Sequence, residues 1–287
     1  MGEPMTERMI SIDGIELCTD SFGDPRNPAV LLIMGIGASM LWWDEELCRA
    51  LAAGDRFVIR YDHRDTGRSV VYEPGQPAYT GADLAADARR VLDGRGVGPA
   101  HVVGVSAGGA FAQVLALTAP ERVLSLTLIS TTPATPADRP LPPPTAEFGR
   151  FVAQSTVDWS DRASIVEHLV RYCRVLAGGV RPFDEAAARK LIQTDITRAR
   201  NPASLQNHEL LGGDDERAPR APLSAVTAPT LVIHGTADPL FPPQHGEALA
   251  AEIPNARLLL LDGAGHGIAP ADHETLSRAI HEHTAAA

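Results

Sequence analysis

Apolar and polar positions alternate between two rhythms along the first half of the chain. Short continuous apolar runs cover Ala29–Met34, Arg56–Tyr61, His101–Val105 and Val123–Ile129. Such runs predict strands of a parallel sheet with both faces covered, because no position in them is left for solvent. Between them, Leu47–Ala53, Gly81–Leu92 and Gly109–Leu117 carry apolar residues at helical spacing and predict helices. Near the start, Asp13-Gly14 interrupts Arg8–Thr19 and predicts a tight turn between two short strands. Strand–helix alternation of this kind specifies a doubly wound α/β sheet.

The rhythm changes after Thr132. The stretch Thr132–Pro144 is dense in proline, which neither helix nor central strand accepts. Helical patterns alone follow, over Thr145–Ser155, Ser160–Leu176, Phe183–Arg200 and Pro202–Leu211. Strand runs return at Pro229–His234 and Arg257–Leu261, and His281–Ala287 reads as a frayed tail. The expected organisation is therefore an α/β core in two pieces, 1–132 and 224–287, interrupted by a helical cap insert at 133–223.

Composition narrows the function classes. The 287 residues carry 25 Lys+Arg against 36 Asp+Glu, a formal charge of −11. An acidic chain lacks the cationic surface that nucleic-acid phosphates require. No apolar run approaches the ~20 residues of a membrane helix, and the N-terminus shows no apolar signal-peptide core. Cys18, Cys48 and Cys173 are odd in number and far apart, which fits thiols in a reducing cytoplasm rather than a disulfide framework or metal pair. No cofactor motif is visible. The expected partner is a small-molecule ester, and the expected state is a monomer or homodimer.

The chemistry concentrates at strand ends. His101–Val105 runs into Gly104-Val105-Ser106-Ala107-Gly108 and then a helical pattern. Gly-x-Ser-x-Gly between strand and helix is the sharp turn that exposes a nucleophilic hydroxyl. A serine needs a base, and the base needs a third group to orient it. Asp238 follows the strand Pro229–His234, and His266 follows Arg257–Leu261. Each would lie past the carboxyl end of a buried strand, as Ser106 does, and in a parallel sheet those ends share one edge. Asp262 stands too near His266 in sequence to be the first choice. His101, His234, His245 and His273 are expected to pack or lie at the surface.

An acyl-transfer oxyanion needs two N–H donors. Ala107 supplies one as the residue after the nucleophile. Ile36 supplies the other from the small-residue loop Met34-Gly35-Ile36-Gly37. Candidate pocket residues are Met34, Trp42, Trp43 and Leu240 beside these loops, with Phe148 and Phe151 from the insert. The paired tryptophans would either wall an apolar pocket or pack a helix start, and the insert aromatics would either line the pocket or form the insert's own core.

These residues resemble the α/β-hydrolase fold family from about Arg8 to Ile280, the insert apart. Within it, Asp20–Pro25, Met34-Gly35, Arg60–Ser69, Leu84–Asp87, Val91–Gly94, His101–Gly104 and Pro229–Ile233 are similar to the aclacinomycin methylesterase group. The resemblance implies a polyketide-tailoring esterase that hydrolyses a methyl ester, with Ser106 as nucleophile, Asp238 as acid, His266 as base, and Ile36 and Ala107 as oxyanion donors. It implies a structural role for the turn Asp62–Ser69, with His63 inside it. Other reactions on the same triad remain open: lactone or thioester hydrolysis, acyl transfer, C–C hydrolysis and perhydrolysis. So do a peptidase resembling proline iminopeptidase and a non-catalytic small-molecule receptor.

Overall fold

A computed structural model describes residues 7–137, 139–211 and 221–287. Eight strands form one sheet in the order β1-β2-β4-β3-β5-β6-β7-β8. They are β1 (Arg8–Ile12), β2 (Ile15–Phe22), β3 (Ala29–Ile33), β4 (Phe57–Tyr61), β5 (Ala100–Val105), β6 (Val123–Ile129), β7 (Thr230–Gly235) and β8 (Arg257–Leu261). From β4 to β8 every neighbouring pair is parallel, and β2 runs antiparallel to both β1 and β4. The β1–β2 hairpin turns on Asp13 and Gly14, both at positive φ (53° and 78°), as a tight turn matched to strand twist requires.

Side chains alternate across each strand, so one sheet feeds two cores. Leu31, Ile33, Ile59 and Val102 pack toward α2 (Gly81–Gly94) and α3 (Ala107–Thr118). Val30, Leu32, Val58 and Val103 pack toward α1 (Glu45–Ala52) and α9 (His273–Ala285). Burial on both faces explains the unbroken apolar runs in the sequence.

Three expectations are corrected. Strand β8 is not buried: it ends the sheet order, and of its residues only Leu261 is buried. The tail is not frayed. Helix α9 continues to Ala285, because Leu276 and Ile280 bury into the second core and the His283 ring N–H donates to the Leu126 carbonyl at 3.1 Å. Helix α3 also begins at Ala107, directly after Ser106, rather than at Gly109.

Between β6 and β7 the described residues form no strand. Residues 132–137 and 139–144 hold neither helix nor strand. Then come α4 (Ala146–Gln154), α5 (Arg162–Leu176), α6 (Glu185–Arg198) and the short α7 (Gln206–Glu209), while α8 (Gln244–Glu252) connects β7 to β8. Asp161 and Asp184 cap α5 and α6 by accepting N–H groups of their first turns. Ile165, Val166, Val170, Ile192, Ile196 and Leu205 give this segment a small core of its own. The stretch 212–220 of the insert lies outside the described residues, as does Asp138.

The turn after β4 fastens these parts together through buried polar groups. Asp62 accepts the N–H groups of Met40 (3.0 Å) and Arg68 (2.9 Å) and pairs with Arg198 of α6. Asp65 accepts from Tyr72 N–H, the Tyr79 hydroxyl and the Asn207 amide. Arg64 forms a two-point pair with Asp87 of α2 at 2.7 and 2.8 Å. Asp87 is fully buried and Arg64 is 4% exposed. Removing the acid strands a buried guanidinium, so Asp87→Ala should lower unfolding free energy by about 3–5 kcal/mol. Urea denaturation measures this, and a loss below ~1 kcal/mol would contradict the assignment of the pair.

Candidate active site

Strand ends place the chemistry, as parallel packing requires. Ser106 sits between β5 and α3 with φ 55° and ψ −127°, a region in which a non-glycine residue is strained. The turn is held by Ser106 N–H donating to the Ile129 carbonyl at 3.0 Å and by Thr131 Oγ1 donating to the Ser106 carbonyl at 2.6 Å. The flanking glycines are there for space. A Cβ on Gly104 would lie 2.3 Å from the Gly108 carbonyl oxygen, and one on Gly108 would lie 2.2 Å from that of Ile33.

Asp238 follows β7 and is buried. Its Oδ1 accepts the N–H groups of Leu240 and Phe241, each at 2.9 Å, and its Oδ2 accepts from His266 Nδ1 at 2.8 Å. These contacts leave His266 Nε2 as the acceptor of a proton. The Phe241 ring meets the His266 ring edge to face at 5.6 Å. The insert also touches His266, whose backbone N–H donates to the Leu176 carbonyl at the end of α5, at 2.7 Å. His234 is no rival to His266, since its Nε2–H is taken by the Phe241 carbonyl at 2.7 Å and burial lowers its pKa.

The loop after β3 lies against the serine. A Cβ on Gly35 would be 3.2 Å from Ser106 Cβ and 3.6 Å from Ser106 Oγ. Ala107 N–H, first in α3, and Ile36 N–H find no acceptor among the described residues. Both residues line one cavity of about 320 Å³, with Phe111, His208, Glu209 and Leu211 on its other walls. Burial raises the Glu209 carboxyl pKa.

The expected pocket residues are spread more widely. Trp43 is corrected outright: it is wholly buried between β3, β4 and α1, with no surface to offer a ligand. Its neighbour Trp42 is half-buried and packs on the insert core, its indole N–H donating to Asp195 of α6 at 2.7 Å. Met34 is buried, and its carbonyl is held by His63 at 2.8 Å. Phe148 and Phe151 both face Tyr172 of α5, at 6.0 and 5.9 Å between ring centroids. Leu240 is half-buried beside Asp238. None of the six lines the cavity at Ile36 and Ala107. Its insert-side residues, His208 and Glu209, went unnoticed in the sequence because they lie in a four-residue helix with no strand end or motif to mark them.

A one-sheet α/β architecture with a Gly-x-Ser-x-Gly turn after β5 defines a class, and comparison with known proteins agrees. A family model described as the alpha/beta hydrolase fold matches residues 28–270. The chain belongs to that family. It is 36% identical to rhodomycin D methylesterase DnrP of Streptomyces peucetius over 99% of both chains, and equally to DauP of Streptomyces sp. strain C5. A solved hydrolase from Pseudomonas aeruginosa PA01 superposes with a TM-score of 0.68 at 27% identity, over 99% of this chain and 98% of that one. The protein is a carboxylic ester hydrolase of the α/β-hydrolase type. No helix among the described residues is long and apolar enough to cross a membrane.

Proposed function

We propose that the protein is a serine methylesterase acting on a polycyclic, polyketide-derived methyl ester, as the names of its 36%-identical relatives suggest. The observation that carries the reaction is the meeting of Ile36 and Ala107, their N–H groups unclaimed, on one cavity wall beside Ser106. His266 Nε2 takes the Ser106 hydroxyl proton as Oγ attacks the ester carbon. Ile36 and Ala107 N–H groups receive the oxyanion. Collapse breaks the carbon–methoxy bond, and His266 returns its proton to the leaving methoxide. Water, deprotonated by the same ring, attacks the acyl carbon; the carbon–Oγ bond breaks, the ring returns that proton to Ser106 Oγ, and the acid is freed. Asp238 holds the Nδ1–H tautomer throughout and supports the imidazolium. Ser106 Oγ has no hydrogen-bond partner among the described residues, so the proton-transfer contact closes on substrate binding, as is common in resting hydrolases. The three free thiols fit a reducing cytoplasm.

The test is to incubate the protein with the methyl ester of a polycyclic aromatic acid in ¹⁸O-water and to map its adduct with a fluorophosphonate by mass spectrometry. Methanol, singly labelled acid and an adduct on Ser106 are expected. Turnover with no adduct on Ser106 would sink the mechanism. Glu209 on the cavity wall favours one second reading, a peptidase that holds a substrate amine. Faster cleavage of an amino-acid anilide than of any ester would establish it instead.

A further inference from the structure

We propose that His208 of the insert, together with His63 of the core, is a positioning residue that aims the Ile36 N–H into the oxyanion hole. The inference rests on the esterase reading and concerns how its oxyanion donor is held. The donor peptide lies between two anchored neighbours. On one side the Met34 carbonyl accepts from His63 Nε2 at 2.8 Å. On the other, Gly37 N–H donates to His208 Nδ1 at 2.7 Å. Pinning the peptide before and the peptide after fixes the plane of the Gly35–Ile36 peptide between them, which is the peptide that carries the donor.

The loop needs such support. Gly37 has φ 74°, a conformation without intrinsic preference in glycine, and the Ile36 side chain is 43% exposed, so packing does little to hold it. Further along, Asp62 holds Met40 N–H and Asp195 holds the Trp42 indole, leaving 34–37 as the part that depends on the histidines.

Both rings are in the form the task requires. His208 accepts at Nδ1, so its proton is on Nε2, which donates to the Arg64 carbonyl at 2.8 Å. Burial and the adjacent His63 push its pKa down to about 3, so the accepting lone pair persists. His63 is wholly buried, and that burial lowers its pKa. It is braced by Tyr61 and Phe111 rings at 5.1 and 5.7 Å. The next residue to His208, Asn207, is tied at both ends of its amide, to Gly75 N–H at 2.7 Å and Asp65 at 2.9 Å. The insert therefore completes the oxyanion hole: with α7 undocked, Gly37 N–H has no acceptor and the donor peptide is free to turn.

Two near-isosteric variants separate positioning from packing. Asn places its carbonyl oxygen where His208 has Nδ1, and Gln places its amide nitrogen where His208 has Nε2. Thus His208→Asn keeps the Gly37 contact and loses Arg64, while His208→Gln does the reverse. With a p-nitrophenyl ester, His208→Gln should lower kcat roughly tenfold to a hundredfold with KM within about twofold, short of the full loss of a donor. His208→Asn should recover most of that loss. The inhibition constant of a trifluoromethyl ketone, whose adduct bears the oxyanion, should weaken in step with kcat. Equal losses in the two variants, or a loss carried by KM, overturn the proposal. If both fail to fold by circular dichroism, His63→Gln, which keeps the Met34 contact, is compared with His63→Leu, which loses it. Equal kcat in that pair also overturns it. Wild-type protein inert toward esters overturns the esterase reading, and this inference with it.

Discussion

Ser106→Ala is expected to remove ester turnover almost entirely, by about a million-fold in kcat where the nucleophile and base act as a unit. The argument is local. The hydroxyl makes no hydrogen bond among the described residues, so its removal leaves no stranded partner. Alanine keeps the same backbone strain at φ 55°, and the holding bonds to Ile129 and Thr131 involve only the main chain at this position. Stability should therefore stay within ~1 kcal/mol of the parent while chemistry vanishes. Ester hydrolysis, fluorophosphonate labelling and thermal unfolding are measured on the same preparation. A variant that turns over within tenfold of the parent would place the nucleophile elsewhere.

Asp238→Asn should cost about four orders of magnitude in kcat, through the histidine tautomer rather than through the fold. The amide oxygen can still accept the Leu240 and Phe241 N–H groups, so the turn after β7 survives. The amide nitrogen then faces His266 Nδ1 and donates to it. That moves the imidazole proton to Nε2, where the ring can no longer take one from Ser106. His234 does not substitute: it approaches Asp238 only to 3.6 Å, and its Nε2–H is committed to Phe241. A loss of less than tenfold, with the melting temperature unchanged, would remove Asp238 from the mechanism.

Much of this was legible in the chain because it is encoded locally. Continuous apolar runs mark strands that are buried on both faces, and a residue just past such a run lies at the ligand-bearing edge. That logic placed Ser106, Asp238 and His266 on one edge, and the structure brings Asp238 and His266 into contact. It failed where neighbours in sequence diverge in space. Trp42 and Trp43 are adjacent, yet one bridges the sheet core and the insert while the other lies wholly inside the sheet core. The Arg257–Leu261 run reads as an inner strand, but its place in the sheet order makes it an edge. The tail lacks obvious patterning, and its order comes from what it lies against.

The sequence by itself determined the fold class and the sharp strand-to-helix turn at Ser106, since each depends on residues close together along one strand and its turn. Only the tertiary structure decided which residues wall the cavity and what steadies the oxyanion loop. The contact between Gly37 and His208 spans 171 positions. A hydrogen bond of that range leaves no local pattern, because it exists only once the insert has closed over the sheet edge and burial has kept the ring neutral.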